Sequence, residues 1–169
     1  LEDILDEIID LFPAETIHVG GDEAEHGSWK KCSSCAVKIK TEGLYDKEGK
    51  PDYHRLQVYM MNRMSRYLKS KGKRMLGWNE IFSDELDKSS MIQFWKGSPE
   101  MAKEVAKAGH EMIMSYHIYT YLDYGHITPG KAYTFDPVLD GLSEEVQKKI
   151  IGLECCMWGE WIPTLEDMN

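Results

Sequence analysis

Positive charge is scarce in this sequence. Twenty lysines and arginines stand against 29 aspartates and glutamates, for a net charge of −9. A surface that grips phosphates needs a basic surplus, so the balance argues against a nucleic-acid partner and against an anionic membrane surface. Long apolar runs are also missing: none approaches the roughly 20 residues that cross a bilayer. No basic n-region or cleavage site precedes the first helical pattern, which by itself leaves the compartment open. Glycine-rich phosphate cradles followed by Lys or Arg are absent, because Gly20 and Gly21 lead straight into acids that would repel phosphate. Cysteine is limited to Cys32, Cys35, Cys155 and Cys156. The run "CSSC" fits half of a zinc site, a redox pair or a local disulfide. The vicinal pair at 155–156 makes a poor second half for zinc, so reduced or loop-stabilising cysteines are expected.

What is present is enough for one folded domain, since 42% of 169 residues are apolar. "LEDILDEIIDLF" places Leu1, Ile4, Leu5, Ile8, Leu11 and Phe12 at helical spacing, and Pro13 ends the pattern. "ETIHV" (15–19) reads as a buried strand. A polar stretch with Gly43 and Gly49 reads as a long excursion loop. Residues 53–70 read as a helix whose buried side offers Tyr53, Leu56, Met60, Met64, Tyr67 and Leu68, with Gly72 as its stop. Short strands follow at "RMLGW" (74–78), "MIQFW" (91–95), "EMIMSY" (111–116) and "IIGLECCMW" (150–158). "SPEMAKEVAKAG" reads as a helix with Ser98 as N-cap, Pro99 at its first position and Gly109 at its end. "SEEVQKK" reads as a shorter one. Strands alternating with helices predict parallel pairing and an α/β fold.

Each strand is followed by acids or aromatics. Asp22 and Glu23 come after the first, Trp78 and Glu80 after the second, Trp95 after the third. Tyr116, Tyr121 and Asp123 come after the fourth, Trp158 and Glu160 after the fifth. In parallel α/β proteins the C-terminal ends of the strands carry the active-site loops. Aromatic faces stack on the C–H faces of a sugar ring and carboxylates accept hydrogen bonds from its hydroxyls, so a carbohydrate ligand is expected. The adjacent acids pose a problem. Neighbours on an extended chain point to opposite faces, whereas an ordinary glycosidase pair faces itself across one bond at roughly 5–9.5 Å. His18, Asp22, Glu23, Glu25 and His26 are also dense in metal-ligand types, but in no H-E-x-x-H arrangement.

"HVGGDEA" (18–24) resembles the signature of glycoside hydrolase family 20, the β-N-acetylhexosaminidases, and "GWNEI", "FWKG", "YLDY" and "MWGEW" follow in that family's order. The resemblance implies a (β/α)8 TIM-type barrel, here a partial barrel corresponding to about strands 4–8. Residues 1–169 would be the C-terminal portion of the catalytic domain, with strands one to three and the last helix missing and the isolated fragment inactive. It implies removal of terminal non-reducing β-linked GlcNAc or GalNAc with retention, through an oxazolinium intermediate formed by the substrate's own acetamido group. No second enzymic carboxylate is then needed. By position, Glu23 matches the general acid and Asp22 the residue that orients the acetamido group. Tyr121 matches the tyrosine that bonds the acetamido oxygen. Trp78, Trp95 and Trp158 match the aromatic walls, and Asp123 and Glu160 the acids that hold sugar hydroxyls, with His18 and Glu80 in support. The resemblance requires no cofactor and no metal. The expected partner is a glycan, either a chitooligosaccharide or a glycoconjugate end, without nucleic acid or membrane insertion and with no oligomeric state legible. A periplasmic or secreted setting is favoured by the resemblance. The family's sugar-gripping arginine and an upstream histidine would precede residue 1. A further family tryptophan has no counterpart between Asp123 and the last strand, where Tyr133 is the nearest aromatic substitute. The competing classes are a non-catalytic sugar-binding pseudoenzyme and a metal-dependent hydrolase.

Overall fold

The computed structural model describes residues 1–166 and divides the chain into two compact units, Leu1–Ser90 and Met91–Asn169. Both are mixed α/β, and every strand pairs in parallel within its own unit.

In the first unit, helix α1 (Glu2–Leu11) leads into strand β1 (Thr16–His18). Glu2 and Asp3 sit in the first turn of α1, where the helix dipole favours negative charge. Of the six apolar residues expected to face inward, only Leu5 is fully buried, while Leu1, Ile4, Leu11 and Phe12 are exposed. Periodicity locates a helix but not how much of its stripe meets a neighbour. Within this unit α1 is tied to α3 (Tyr53–Ser70) at its polar edges, by Arg63 to Glu2 at 3.0 Å and Lys71 to Asp6 at 2.7 Å. The Lys71 hydrogen bond holds the Asp6 carboxyl below the usual carboxylate range.

The expected excursion loop contains a helix, α2 (Ser33–Glu42), closed by Gly43 in the left-handed region at φ 66°. Its apolar stripe is too weak to read from the sequence, since only Ile39 is buried. Helix α3 has the expected bounds and is capped by Asp52, whose carboxylate accepts the Arg55 N–H at 3.0 Å. Its buried face is rotated from the expected one. Gln57, Val58, Met61, Met64, Ser65 and Leu68 point inward, and Met60 is exposed. Two polar residues occupy inward positions because they have partners there. Ser65 meets Ser90 at 3.2 Å, and Gln57 reaches the loop described below. Strand β2 (Arg74–Trp78) pairs with β1 in the register Ile17↔Met75. The ladder runs on past β1, with the Val19 N–H on Leu76 O at 2.9 Å and the Trp78 N–H on Gly20 O at 3.0 Å.

In the second unit, β3 (Met91–Phe94) is buried throughout and pairs with β4 (Met112–Met114), which pairs with β5 (Ile150–Leu153). Helix α4 (Pro99–Lys107) makes the crossover from β3 to β4 that parallel pairing requires. It starts on the expected Ser98 cap, and Gly109 lies just beyond its end at φ 93°. Three short helices, α5 (His117–Thr120), α6 (Pro129–Tyr133) and α7 (Glu144–Gln147), occupy the second connection. The first two are too short to leave a periodic trace. The last strand is shorter than expected. The β4–β5 register shifts at Met112/Ile113, pairing ends at Leu153, and the chain returns only as a single parallel bridge between Tyr121 and Cys156. Beneath β3 and β4, Gln93 donates to the Ser115 hydroxyl at 2.9 Å, so two buried polar groups satisfy each other.

Gly21 adopts φ 97°, and a Cβ there would collide with Ile81 Cγ2. Gly43 also has a positive φ, but its Cβ would meet nothing. Gly21→Ala should therefore cost roughly 2–4 kcal/mol, against about 1–2 kcal/mol for Gly43→Ala. Urea unfolding of the full-length protein measures both. Equal losses would mean that Ile81 yields without cost.

Candidate active site

The first cluster grows from the end of β1. Gly20 (φ 72°) and Gly21 (φ 97°) turn the chain in conformations that side chains resist, and Glu23 follows at φ 46°. Glu23 is the one non-glycine with positive φ among the described residues. A carboxylate residue held there costs roughly 1–3 kcal/mol, and such outliers gather where function over-determines the backbone. Asp22 and Glu23 are both exposed.

Two side chains, His18 and Gln57, hold this turn. The Gly20 N–H donates to His18 Nδ1 at 3.0 Å, which places the proton of a neutral His18 ring on Nε2. The His18 ring meets Trp78 edge-on, with centroids 5.0 Å apart. Buried Gln57 then pins the loop on both sides of the acids. Its Nε2 donates to Gly21 O at 2.6 Å, and its Oε1 lies 3.1 Å from His26 Nε2. A backbone carbonyl can only accept, so the amide orientation is determined and His26 Nε2 must donate. His26 also stacks on Trp29 at 4.8 Å. Trp78 is buried, and Glu80 is half-buried on the short turn Asn79–Ile81, its carbonyl 3.0 Å from His54 Nε2. The dense run of possible metal ligands is thus dispersed. Among the described residues no three His, Cys, Asp or Glu gather into a group that could hold an ion.

The second cluster is aromatic and lies in the second unit. Tyr121 is 5% exposed and stacks against Trp95, with centroids 5.9 Å apart and planes 17° from parallel. Trp158, 44% exposed, lies 6.2 Å from the Tyr121 ring. Cys156 forms a parallel bridge with Tyr121, so its thiol also lies beside the phenol. Burial, assisted by the nearby Cys156, drives the phenol far above its ordinary value, so Tyr121 stays a neutral donor. Burial and then the Glu154 charge push the Cys156 thiol up to about 11. The Lys96 ammonium caps the Trp95 ring at 4.3 Å.

Asp123 is 7% exposed, and both its carboxylate oxygens are buried without a hydrogen-bond partner among the described residues. A carboxylate is costly to bury without donors. Glu160 and Tyr133 are exposed, the latter at 93%.

Sequence reasoning missed Gln57, His117 and Cys156. Nothing marks Gln57 in the sequence, because its importance lies in the distant loop it touches. His117 sits among the rings of Trp95, Tyr116, Tyr121 and Tyr124. Burial, and then Lys96, lower its pKa and keep it neutral. The aromatic density of "YHIYTYLDY" was the available hint.

Comparison with known proteins places these features in a family. The family model described as glycosyl hydrolase family 20, catalytic domain, matches residues 1–169. A beta-hexosaminidase of Porphyromonas gingivalis is 28% identical over 98% of this chain and 22% of its own length. One of Vibrio furnissii is 30% identical over all of this chain and 29% of its own length. The chain thus spans under a third of these curated relatives. Among solved structures, the chitobiase of Flavobacterium johnsoniae superposes with a TM-score of 0.81 at 29% identity, over 94% of this chain and 24% of that one. The exo-β-N-acetylglucosaminidase of Vibrio harveyi, in complex with N-acetylglucosamine, superposes at 0.78 and 29% identity, over 94% and 26%.

Gln57→Leu should leave the Gly21 carbonyl and His26 without their partner and cost about 1–3 kcal/mol. Amide hydrogen exchange should quicken selectively over residues 20–29. Unchanged protection of that loop would show that Gln57 does not hold it.

Proposed function

Because the chain belongs to glycosyl hydrolase family 20, we propose that the protein is a β-N-acetylhexosaminidase. It removes terminal, non-reducing β-linked N-acetylhexosamine with retention, and its five strands are strands four to eight of the family's (β/α)8 barrel. Residues 1–169 form the C-terminal portion of that catalytic domain. Names of the relatives support this reading, as does the N-acetylglucosamine bound to one structural neighbour. The observation that carries it is Glu23, held at φ 46° directly after a two-glycine turn.

In this reading Glu23 protonates the glycosidic oxygen as the bond to the anomeric carbon breaks. The substrate's acetamido oxygen attacks that carbon and forms a bicyclic oxazolinium. Glu23, now a carboxylate, takes a proton from the water that opens it. Asp22 orients the acetamido group and opposes its developing positive charge. Tyr121 donates to the acetamido oxygen, and its raised pKa suits that role because the phenol keeps its proton throughout. Trp78, Trp95 and Trp158 wall the sugar. Asp123 and Glu160 accept from its hydroxyls, and the unpartnered oxygens of Asp123 are suited to that. His18 and Glu80 support the site without touching the reacting atoms.

Glu23→Gln in the full-length protein should lose at least about 100-fold in kcat/KM on substrates with poor leaving groups. It should lose far less in the first step with activated aryl glycosides, which need little protonation. Equal small losses on both would remove Glu23 from the role.

The matching glucoside, which lacks the acetamido group, should not turn over, and Asp22→Ala should slow the natural reaction sharply. The deciding measurement is trapping with a fluorinated sugar and peptide mapping. A covalent adduct on any carboxylate would replace the substrate-assisted route with an ordinary double displacement.

A further inference from the structure

The "CSSC" run takes no part in the proposed chemistry, yet it has a defined geometry. Cys32 is the N-cap of α2, with extended φ and ψ of −93° and 117°, and its sulfur accepts the Cys35 N–H at 3.4 Å. Sulfur is a weak acceptor, and Ser, Thr, Asp or Asn would cap this helix better. A cysteine at the cap with a second one three residues on is therefore a poor choice for capping and a good one for thiol chemistry. Both cysteines are free and half-buried, so they are sheltered but reachable. Residues three apart on a helix have Cβ atoms about 5–6 Å apart, somewhat beyond disulfide reach. The extended cap closes that gap by bringing the Cys32 sulfur against the Cys35 backbone. Among the described residues no third His, Cys, Asp or Glu joins the pair, so a thiol reaction fits the surroundings better than metal binding.

We propose that Cys32 and Cys35 are a redox-active dithiol, with Cys32 the attacking thiolate and Cys35 the resolving thiol. The oxidant is a low-molecular-weight disulfide. The Cys32 thiolate attacks one of its sulfurs, forming a mixed disulfide and releasing one thiolate. Cys35 loses its proton and attacks the Cys32 sulfur, and the second small thiolate leaves. Two protein thiols and one disulfide become one protein disulfide and two small thiols. The division of labour agrees with the hydrogen bonds. The Cys35 N–H, followed by the Cys35 thiol and the Ser34 N–H, lowers the Cys32 pKa, and donating to Cys32 raises that of Cys35. The new bond closes a ring across the first turn of α2. This turn ends the segment that begins with Asp22 and Glu23.

The test uses the reduced full-length protein, glutathione disulfide at pH 7, and peptide-resolved mass spectrometry. The readout is thiol chemistry and is independent of glycosidase turnover. Wild type should lose both thiols of the 32–35 peptide and retain no glutathione. Cys35→Ser should retain one glutathione, on Cys32. Cys32→Ser keeps a capped helix and should acquire glutathione on Cys35 at least ~10-fold more slowly than Cys35→Ser acquires it on Cys32. The difference should vanish in denaturant. A stable glutathione adduct on wild type, or equal rates for the two variants in the native state, would overturn the proposal.

Discussion

The first unit depends on a close approach of two backbone segments around one side chain. Ile81 is fully buried, and a Cβ at Gly77 would lie 2.6 Å from its Cδ1 and 2.9 Å from the Gly20 carbonyl. A Cβ at Gly21 would strike the same isoleucine from the other side. Two glycines, Gly21 and Gly77, therefore flank one branched apolar residue. Their missing side chains let the β1 ladder continue, through the Trp78 N–H on Gly20 O, into a turn that β-strand geometry would otherwise end. The exit angle of that turn determines where Asp22 and Glu23 go. Close packing in the core thus carries over into the placement of exposed acids.

The turn is not left to backbone geometry alone. Glu23 sits in a strained conformation, and strain of roughly 1–3 kcal/mol relaxes unless neighbours oppose it. One buried amide supplies much of the opposition. Gln57 grips the loop at Gly21 and at His26, while His18 accepts the Gly20 N–H. A polar residue on the inward face of α3 is unfavourable for the core in isolation. It is compensated because both ends of its amide are satisfied and because the groups it satisfies would otherwise be stranded.

How much of this the sequence revealed depended on the range of the interaction. Strand positions, the α3 bounds and the Ser98 and Gly72 signals are local, and they were legible to within a few residues. Helix α2 was hidden because its cap is a cysteine and its apolar stripe is weak. The rotated face of α3 was hidden because Gln57 and Ser65 face inward for partners 36 and 25 residues away. The acids and tryptophans were legible as residues at strand ends, since residue type and strand position are both local. Their supports were not, because His117 and Cys156 acquire their roles only once the chain folds back on Tyr121.

The two clusters position their polar groups by opposite means. Asp22 and Glu23 are exposed in this chain, and their direction comes from the strained backbone of the turn. Tyr121 and Asp123 are buried: desolvation keeps the phenol neutral, and both Asp123 carboxylate oxygens lack a hydrogen-bond partner among the described residues. In the first environment water solvates a carboxylate whichever way the backbone turns it. Groups that must hold a fixed hydrogen-bonding polarity belong in the second, where low dielectric strengthens each bond made and makes an unmade one costly.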